Sequence, residues 1–162
     1  MDQIFADRVT DVPRSFLREI LKVALEPNMI SFAGGLPSRE LFPLEELKAA
    51  TNKVFDTEGA DALQYANSEG FLGLREWVAQ RYRDQQGLDI DPEHVLITNG
   101  SQQGLDLIGK TLLNDGDDVV LEAPGYLGAI QAFSLYRAAF RSVRLNNDGI
   151  DIPQLAETLQ AY

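Results

Sequence analysis

The residues best able to do chemistry lie in ITNGSQQGLDL, where an apolar run ends at Thr98, Asn99 and Gly100 turn, and Ser101, Gln102 and Gln103 open a helical pattern. The first N–H groups of a helix lack carbonyl partners, and its aligned peptide dipoles place partial positive charge there. With a hydroxyl at Ser101, such a start is a cup for an anion such as phosphate. The carboxyl end of a strand is also where α/β sheets place ligands. The same residues suit an ordinary strand-to-helix turn in which Ser101 only caps, and local chemistry does not choose between the two. A second candidate is EAPGYLGAI, in which Pro124, Gly125 and Tyr126 follow another apolar run. Tyr126 there is placed either to stack on a flat ligand or to pack beneath a loop. A third stretch, LQYANSEGFLGLRE, with Tyr65, Gly70, Leu74 and Arg75, is weak taken alone.

Gly104, Gly109, Lys110 and Thr111 also satisfy GxxxxGK followed by Ser or Thr, the phosphate loop of nucleotide binders. Between the glycines stand Leu105, Asp106, Leu107 and Ile108, the residues of a helix interior, and Asn114 to Asp117 end the element soon after Lys110. A nucleotide binder therefore ranks last among the readings.

Elements must position these residues. Helical spacing of Phe16, Leu17, Ile20, Leu21 and Ala24 predicts a helix over 13–25, and Gly34 and Gly35 ahead of Pro37 predict a tight turn. Further helices are expected over about 43–55 and 72–86, the latter with Leu74, Trp77, Val78, Arg81 and Tyr82 as its apolar stripe and Gly87 as its stop. From residue 94 strands and helices alternate. Strands are predicted over 94–98, 117–123 and AFRSVRL, with helices after the turns at Gly100 and Gly125 and over 152–162. That order implies an α/β domain with parallel strands and right-handed crossovers.

The chain has 162 residues, which at roughly 150 per domain is one domain or part of a larger one. Its 25 Asp and Glu against 14 Lys and Arg give a net charge of -11, which repels nucleic acid and anionic membrane. No cysteine is present, so disulfides, thiolate nucleophiles and Cys-based metal sites are excluded, and a lone histidine, His94, excludes a multi-His metal site. MDQIFADRVTDVP does not read as a signal peptide, which makes the cytoplasm the expected compartment.

Together and in this order, SFAGGLP, LQYANSEGFLGLRE, ITNGSQQGLDL and EAPGYLGAI resemble the N-terminal part of a class I/II aminotransferase, a fold type I pyridoxal-phosphate enzyme. The likeness runs from about residue 13 to residue 162 and is strongest to the branch of 2-aminoadipate and broad-range aminotransferases. It implies a three-layer α/β/α fold whose large domain is incomplete. Residues 1–40 would be an arm and helix bordering the substrate pocket, and 41–162 the front of the cofactor-binding domain. The implied activity is transfer of an amino group from an amino acid to a 2-oxo acid with pyridoxal 5'-phosphate. By position, Gly100, Ser101 and Gln102 correspond to the residues holding the cofactor phosphate, and Tyr126 to the aromatic stacked on its ring. Tyr65 corresponds to a tyrosine that reaches the phosphate in the neighbouring subunit's site, which implies a homodimer. Gly35 matches a glycine beside the substrate carboxylate. Ser15 and Arg18 are candidates for reading a substrate side chain, or are surface residues of an amphipathic helix.

The family also needs a lysine that forms a Schiff base with the cofactor. Only Lys22, Lys48, Lys53 and Lys110 occur, none at the matching position, and the residues that hold the pyridine ring and clamp the substrate carboxylate have no counterpart. The expectation is a truncated N-terminal fragment, inactive alone, or a non-catalytic phosphate-binding or structural relic. In the family's sheet the strand at 94–98 pairs with later strands, so here it should lack a partner.

Overall fold

The computed structural model describes residues 4–10, 30, 32, 35 and 37–162. The helix expected over 13–25, with Ser15 and Arg18, lies outside the described residues. The chain forms two compact units, one of Met1–Phe16 with Thr98–Tyr162 and the other of Leu17–Ile97.

In the second, helical unit, α2 (Leu44–Glu58) follows the single turn α1 (Asp7–Thr10) of the first unit in chain order. Glu45 and Glu46 stand in the first turn of α2, where negative charge suits the helix dipole. The helix runs past the expected end to Gly59, which has φ 56°. A 3-10 helix, Gly59–Leu63, follows. α3 (Leu72–Gln86) has the expected bounds, and Gly87 ends it in the left-handed conformation. The N–H groups of Gly87 and Leu88 return to the carbonyls of Arg83 and Tyr82, which satisfies the free carbonyls of a helix end. The buried face of α3 is Arg75 and Ala79, not the expected stripe, since Leu74, Trp77 and Tyr82 are exposed. The reason is the 3-10 helix Pro92–His94, whose Pro92 carbonyl accepts from Arg75 Nη1 at 3.1 Å.

The strand expected over 94–98 does not form. His94 ends that 3-10 helix and Val95 is extended, but residues 95–98 join no ladder. A strand needs a neighbour for its backbone groups. Here Ile97 N–H finds a single acceptor, the Glu69 carbonyl at 2.9 Å. Gly70, at φ 102°, sits so close that a Cβ there would lie 2.7 Å from Ile97 Cβ.

The α/β unit contains α4 (Ser101–Leu112), β1 (Asp118–Ala123), α5 (Leu127–Ser134), β2 (Ala139–Asn146), β3 (Gly149–Ile150) and α6 (Ile152–Ala161). β1 pairs with β2 in parallel, Asp118 opposite Ala139 through Ala123 opposite Arg144. β3 adds a short antiparallel pair at Leu145 and Asn146, which makes the small sheet mixed. α5 is the crossover, and its Ala129, Ala132 and Phe133 form the buried cluster against Leu105, Leu113, Val119, Ala138 and Phe140. Val143 on β2 is fully buried. Asp151 caps α6 by accepting from Gln154 N–H at 3.0 Å. No described helix is long and apolar enough to cross a membrane.

α4 and α5 approach closely through Gly109, where a Cβ would meet Tyr136 Cδ2 at 2.7 Å and Phe133 Cδ1 at 3.2 Å. Gly109→Ala should therefore cost about 1–3 kcal/mol through overpacking, read as a lower urea midpoint; an unchanged midpoint would show that the helices are spaced more widely. Tyr136 reports on the same packing. Its hydroxyl donates to Asp106 Oδ1 at 3.0 Å, and burial first, then this bond and the Asp106 charge, raise the phenol pKa. Above the ordinary tyrosine value of about 10, the folded chain keeps a proton that the unfolded chain has released, so stability falls with rising pH through that window. Urea titrations at increasing pH should show a steeper alkaline loss for the wild type than for Tyr136→Phe.

Candidate functional site

The α4 start is built by the turn before it. Gly100 N–H donates to the Thr98 carbonyl at 2.9 Å, and the Thr98 hydroxyl donates to the Gly100 carbonyl at 3.2 Å. Gln103 Oε1 accepts from Asn99 N–H at 2.6 Å, so the helix's third residue braces the turn from its own side. Gly100 takes φ 85° and ψ 165°, a combination essentially confined to glycine. No side chain caps α4, and the N–H groups of Ser101, Gln102 and Gln103 have no acceptor among the described residues. Ser101 is exposed. Three converging donors, a hydroxyl and the helix dipole can accept a phosphate-like anion.

The P-loop pattern is ruled out by the same helix. Gly104, Gly109, Lys110 and Thr111 all lie within α4, and the Thr111 hydroxyl donates to the Leu107 carbonyl at 2.6 Å. A wrapping loop has no place there. Lys110 is at the far end, about 13 Å along the axis from Ser101 at the 1.5 Å rise of a helix.

Tyr126 stands where β1 gives way to α5 and is the N-cap residue, with its carbonyl accepting from Ala129 and Ile130 N–H. The residue is 63% exposed. Gly125 permits the tight approach before it, since a Cβ there would fall 2.6 Å from the Glu122 carbonyl oxygen. Gln102 joins the two helix starts, its Nε2 donating to the Gly128 carbonyl at 3.2 Å. Gly100, Ser101, Gln102 and Tyr126 are thus brought together in the α/β unit.

Tyr65 and Gly35 lie in the helical unit. Tyr65 follows the 3-10 helix Gly59–Leu63 and is 99% exposed, with its N–H donating to Gln64 Oε1 at 2.8 Å. Gly35 is exposed, with open space where a Cβ would stand. Ser15 and Arg18 are not among the described residues. Sequence reasoning missed Thr98 and Gln103 as braces of the turn, and Gly128 as the partner of Gln102. The Asn99 to Gln103 spacing of one helical turn carried a signal for the first of these; nothing local announced the second.

The α/β unit thus presents an uncapped helix start with three N–H groups lacking acceptors among the described residues, and an exposed aromatic at the next helix start. The family profile for aminotransferases of class I and II matches residues 27–161. The chain belongs to that family. It is 46% identical to 2-aminoadipate transaminase of Thermus thermophilus over 92% of its length, and 39% identical to aromatic-amino-acid aminotransferase 1 of Thermococcus litoralis over 98%. It spans 36% and 38% of those two relatives. Among solved structures, the Thermus thermophilus alpha-aminoadipate aminotransferase, complexed with N-(5'-phosphopyridoxyl)-L-leucine, superposes with TM-score 0.82 at 44% identity, covering 96% of this chain and 37% of that one. Pyrococcus horikoshii kynurenine aminotransferase, in complex with PMP, gives 0.88 at 37% identity, covering 98% and 39%. The fold is that of fold type I enzymes, present as a partial α/β arrangement.

The turn at Gly100 makes a distinct prediction. Gly100→Ala should lose about 1–3 kcal/mol from backbone strain alone, because the space around it is open. Ser101→Ala, which breaks no cap bond, should stay within about 0.5 kcal/mol of wild type. Urea unfolding of both variants decides it, and equal losses would contradict the turn geometry.

Proposed function

We propose that the chain supplies the phosphate-holding and ring-facing part of a pyridoxal 5'-phosphate aminotransferase site. The observation that carries this is the set of three N–H groups without acceptors at Ser101 to Gln103, beside the exposed Tyr126. These residues fit the group: the N–H groups and the Ser101 hydroxyl suit a phosphate, and Tyr126 offers a flat face for an aromatic ring. When bound, pyridoxal 5'-phosphate supplies an electron sink for charge at the α carbon of an amino acid. The chain's own residues bind and orient. Gly100 holds the backbone so that the donors converge, Ser101 adds a hydroxyl, and Tyr126 limits the tilt of the ring.

The whole protein would transfer an amino group from an amino acid to a 2-oxo acid, as a cytoplasmic homodimer in amino acid metabolism. Residues 41–162 would be the front of its large domain and 1–40 an arm beside the substrate pocket. Tyr65 would serve the neighbouring subunit's phosphate, which its full exposure allows. Gly35, Ser15 and Arg18 would face the substrate. These 162 residues by themselves would not turn over. Of the described lysines, Lys48 pairs with Glu45 at 2.7 Å, Lys53 belongs to the same helix, and Lys110 is at the wrong end of α4.

Pyridoxal 5'-phosphate should raise the melting temperature of the pure chain, by an amount equivalent to about 2.7 kcal/mol at a hundred times the dissociation constant. Gly100→Ala should abolish the shift. With an amino acid and 2-oxoglutarate added, no product should form and borohydride should label no lysine of the site. Absence of any cofactor-induced shift would favour a structural relic, and clear transamination would refute the inactivity.

A further inference from the structure

Gly128 is the second residue of α5, in ordinary helical backbone, where alanine is intrinsically preferred to glycine. What the missing side chain leaves is room for Tyr126. A Cβ at 128 would lie 2.6 Å from Tyr126 Cε1, 2.7 Å from Cζ and 2.8 Å from the hydroxyl oxygen. The outer half of the ring therefore rests against the Gly128 backbone, on a seat that any side chain would fill. The ring is the far end of an exposed side chain, so a methyl group at 128 would push it away without disturbing the helix.

Gln102 holds the backbone of this seat, its Nε2 donating to the Gly128 carbonyl at 3.2 Å. The backbone N–H of the same residue is one of the three donors at the α4 start. One residue thus faces the anion with its main chain and fixes the aromatic platform with its side chain.

We propose that Gly128 and the Gln102 carboxamide are a positioning pair that sets where the Tyr126 ring lies relative to the phosphate cup. This rests on the reading that residues 100–102 and Tyr126 meet pyridoxal 5'-phosphate. The pair acts on the ring half of the ligand and leaves the phosphate half alone. It makes Gly128 a residue whose replacement alters ring recognition while the fold and the anion site persist.

The test compares two probes, pyridoxal 5'-phosphate and inorganic phosphate, by calorimetric titration of the full chain and of Gly128→Ala, Gln102→Met and Tyr126→Ala. Proton spectra of the free proteins report whether the Gly128 α protons are shifted by the Tyr126 ring. In wild type they should be shifted upfield and show contacts to the ring. Gly128→Ala should lose the ring contacts and bind pyridoxal 5'-phosphate about 3- to 10-fold more weakly, the range of one aromatic contact. Its affinity for inorganic phosphate should be unchanged. Tyr126→Ala added to Gly128→Ala should cause no further loss, and Gln102→Met, which keeps the backbone donor, should weaken the same probe alone. Wild-type affinity for pyridoxal 5'-phosphate in Gly128→Ala overturns the positioning pair, as does equal weakening of both probes by Gln102→Met. Wild type binding neither probe overturns the underlying site reading instead.

Discussion

Parallel pairing of β1 with β2 is the constraint on which the α/β unit depends. Two consecutive parallel strands cannot be joined by a hairpin; the chain must leave the end of the first and return over the sheet before it can enter the second. α5 makes that return, and its small residues Ala129 and Ala132 let it sit close to the strands and to α4. The site follows from this. Tyr126 is exposed at the carboxyl end of β1 because the crossover has to begin there, and the α4 start meets it because α4 packs on that same helix through Gly109. The turn at Gly100 then decides what is presented, since a conformation open only to glycine keeps side-chain caps away from the first donors.

The elements legible in the sequence are those whose cause is local. The bounds of α3 can be read because its punctuation is chemical: Gly87 takes a left-handed conformation that most residues resist. Those of α6 follow from Asp151 and Pro153, a side-chain cap and a first-turn proline. The run at 94–98 misleads for the opposite reason. Apolar, branched residues state a preference for extended backbone, but a strand is a relation between two segments, and the partner here reduces to one hydrogen bond from Ile97 to Glu69. The stripe on α3 fails likewise, because a buried arginine that finds a carbonyl on Pro92 outweighs periodicity in choosing the packed face. The β3 pair, two residues long, is too short for any pattern to announce.

The site divides along the same line. A helix start after a glycine turn and a tyrosine after a strand are properties of ten-residue windows, so both could be named as candidates from local pattern. A capping turn and a packed ring stayed open, and only the family resemblance gave Gly100, Ser101, Gln102 and Tyr126 their roles. Their mutual placement could not, because the Gln102 side chain reaches across 26 positions to the Gly128 carbonyl. Gly128 is the instructive residue. In sequence it is one more glycine near a turn; in space it is the surface on which an aromatic ring rests. A glycine in ordinary helical backbone carries no conformational signal, so only the neighbour that occupies its empty side explains it.

A chain carrying a net charge of -11 is an unpromising host for a phosphate if charge is summed. The distribution removes the difficulty. Neither residues 98–104 nor residues 123–134 contain a charged side chain, so both segments that face the proposed ligand are free of the acidic excess found elsewhere. Asp106, further into α4, accepts the Tyr136 hydroxyl on the side toward α5, away from the first turn of donors. Charges beyond about 8–10 Å are largely screened at physiological salt, whereas N–H groups in contact with an anion are not. The local field is then set by peptide dipoles that no summed charge records. With no cationic side chain in either segment, what these two segments themselves offer an anion is backbone N–H groups and the Ser101 hydroxyl, and what they offer a flat ring is the Tyr126 face seated against Gly128.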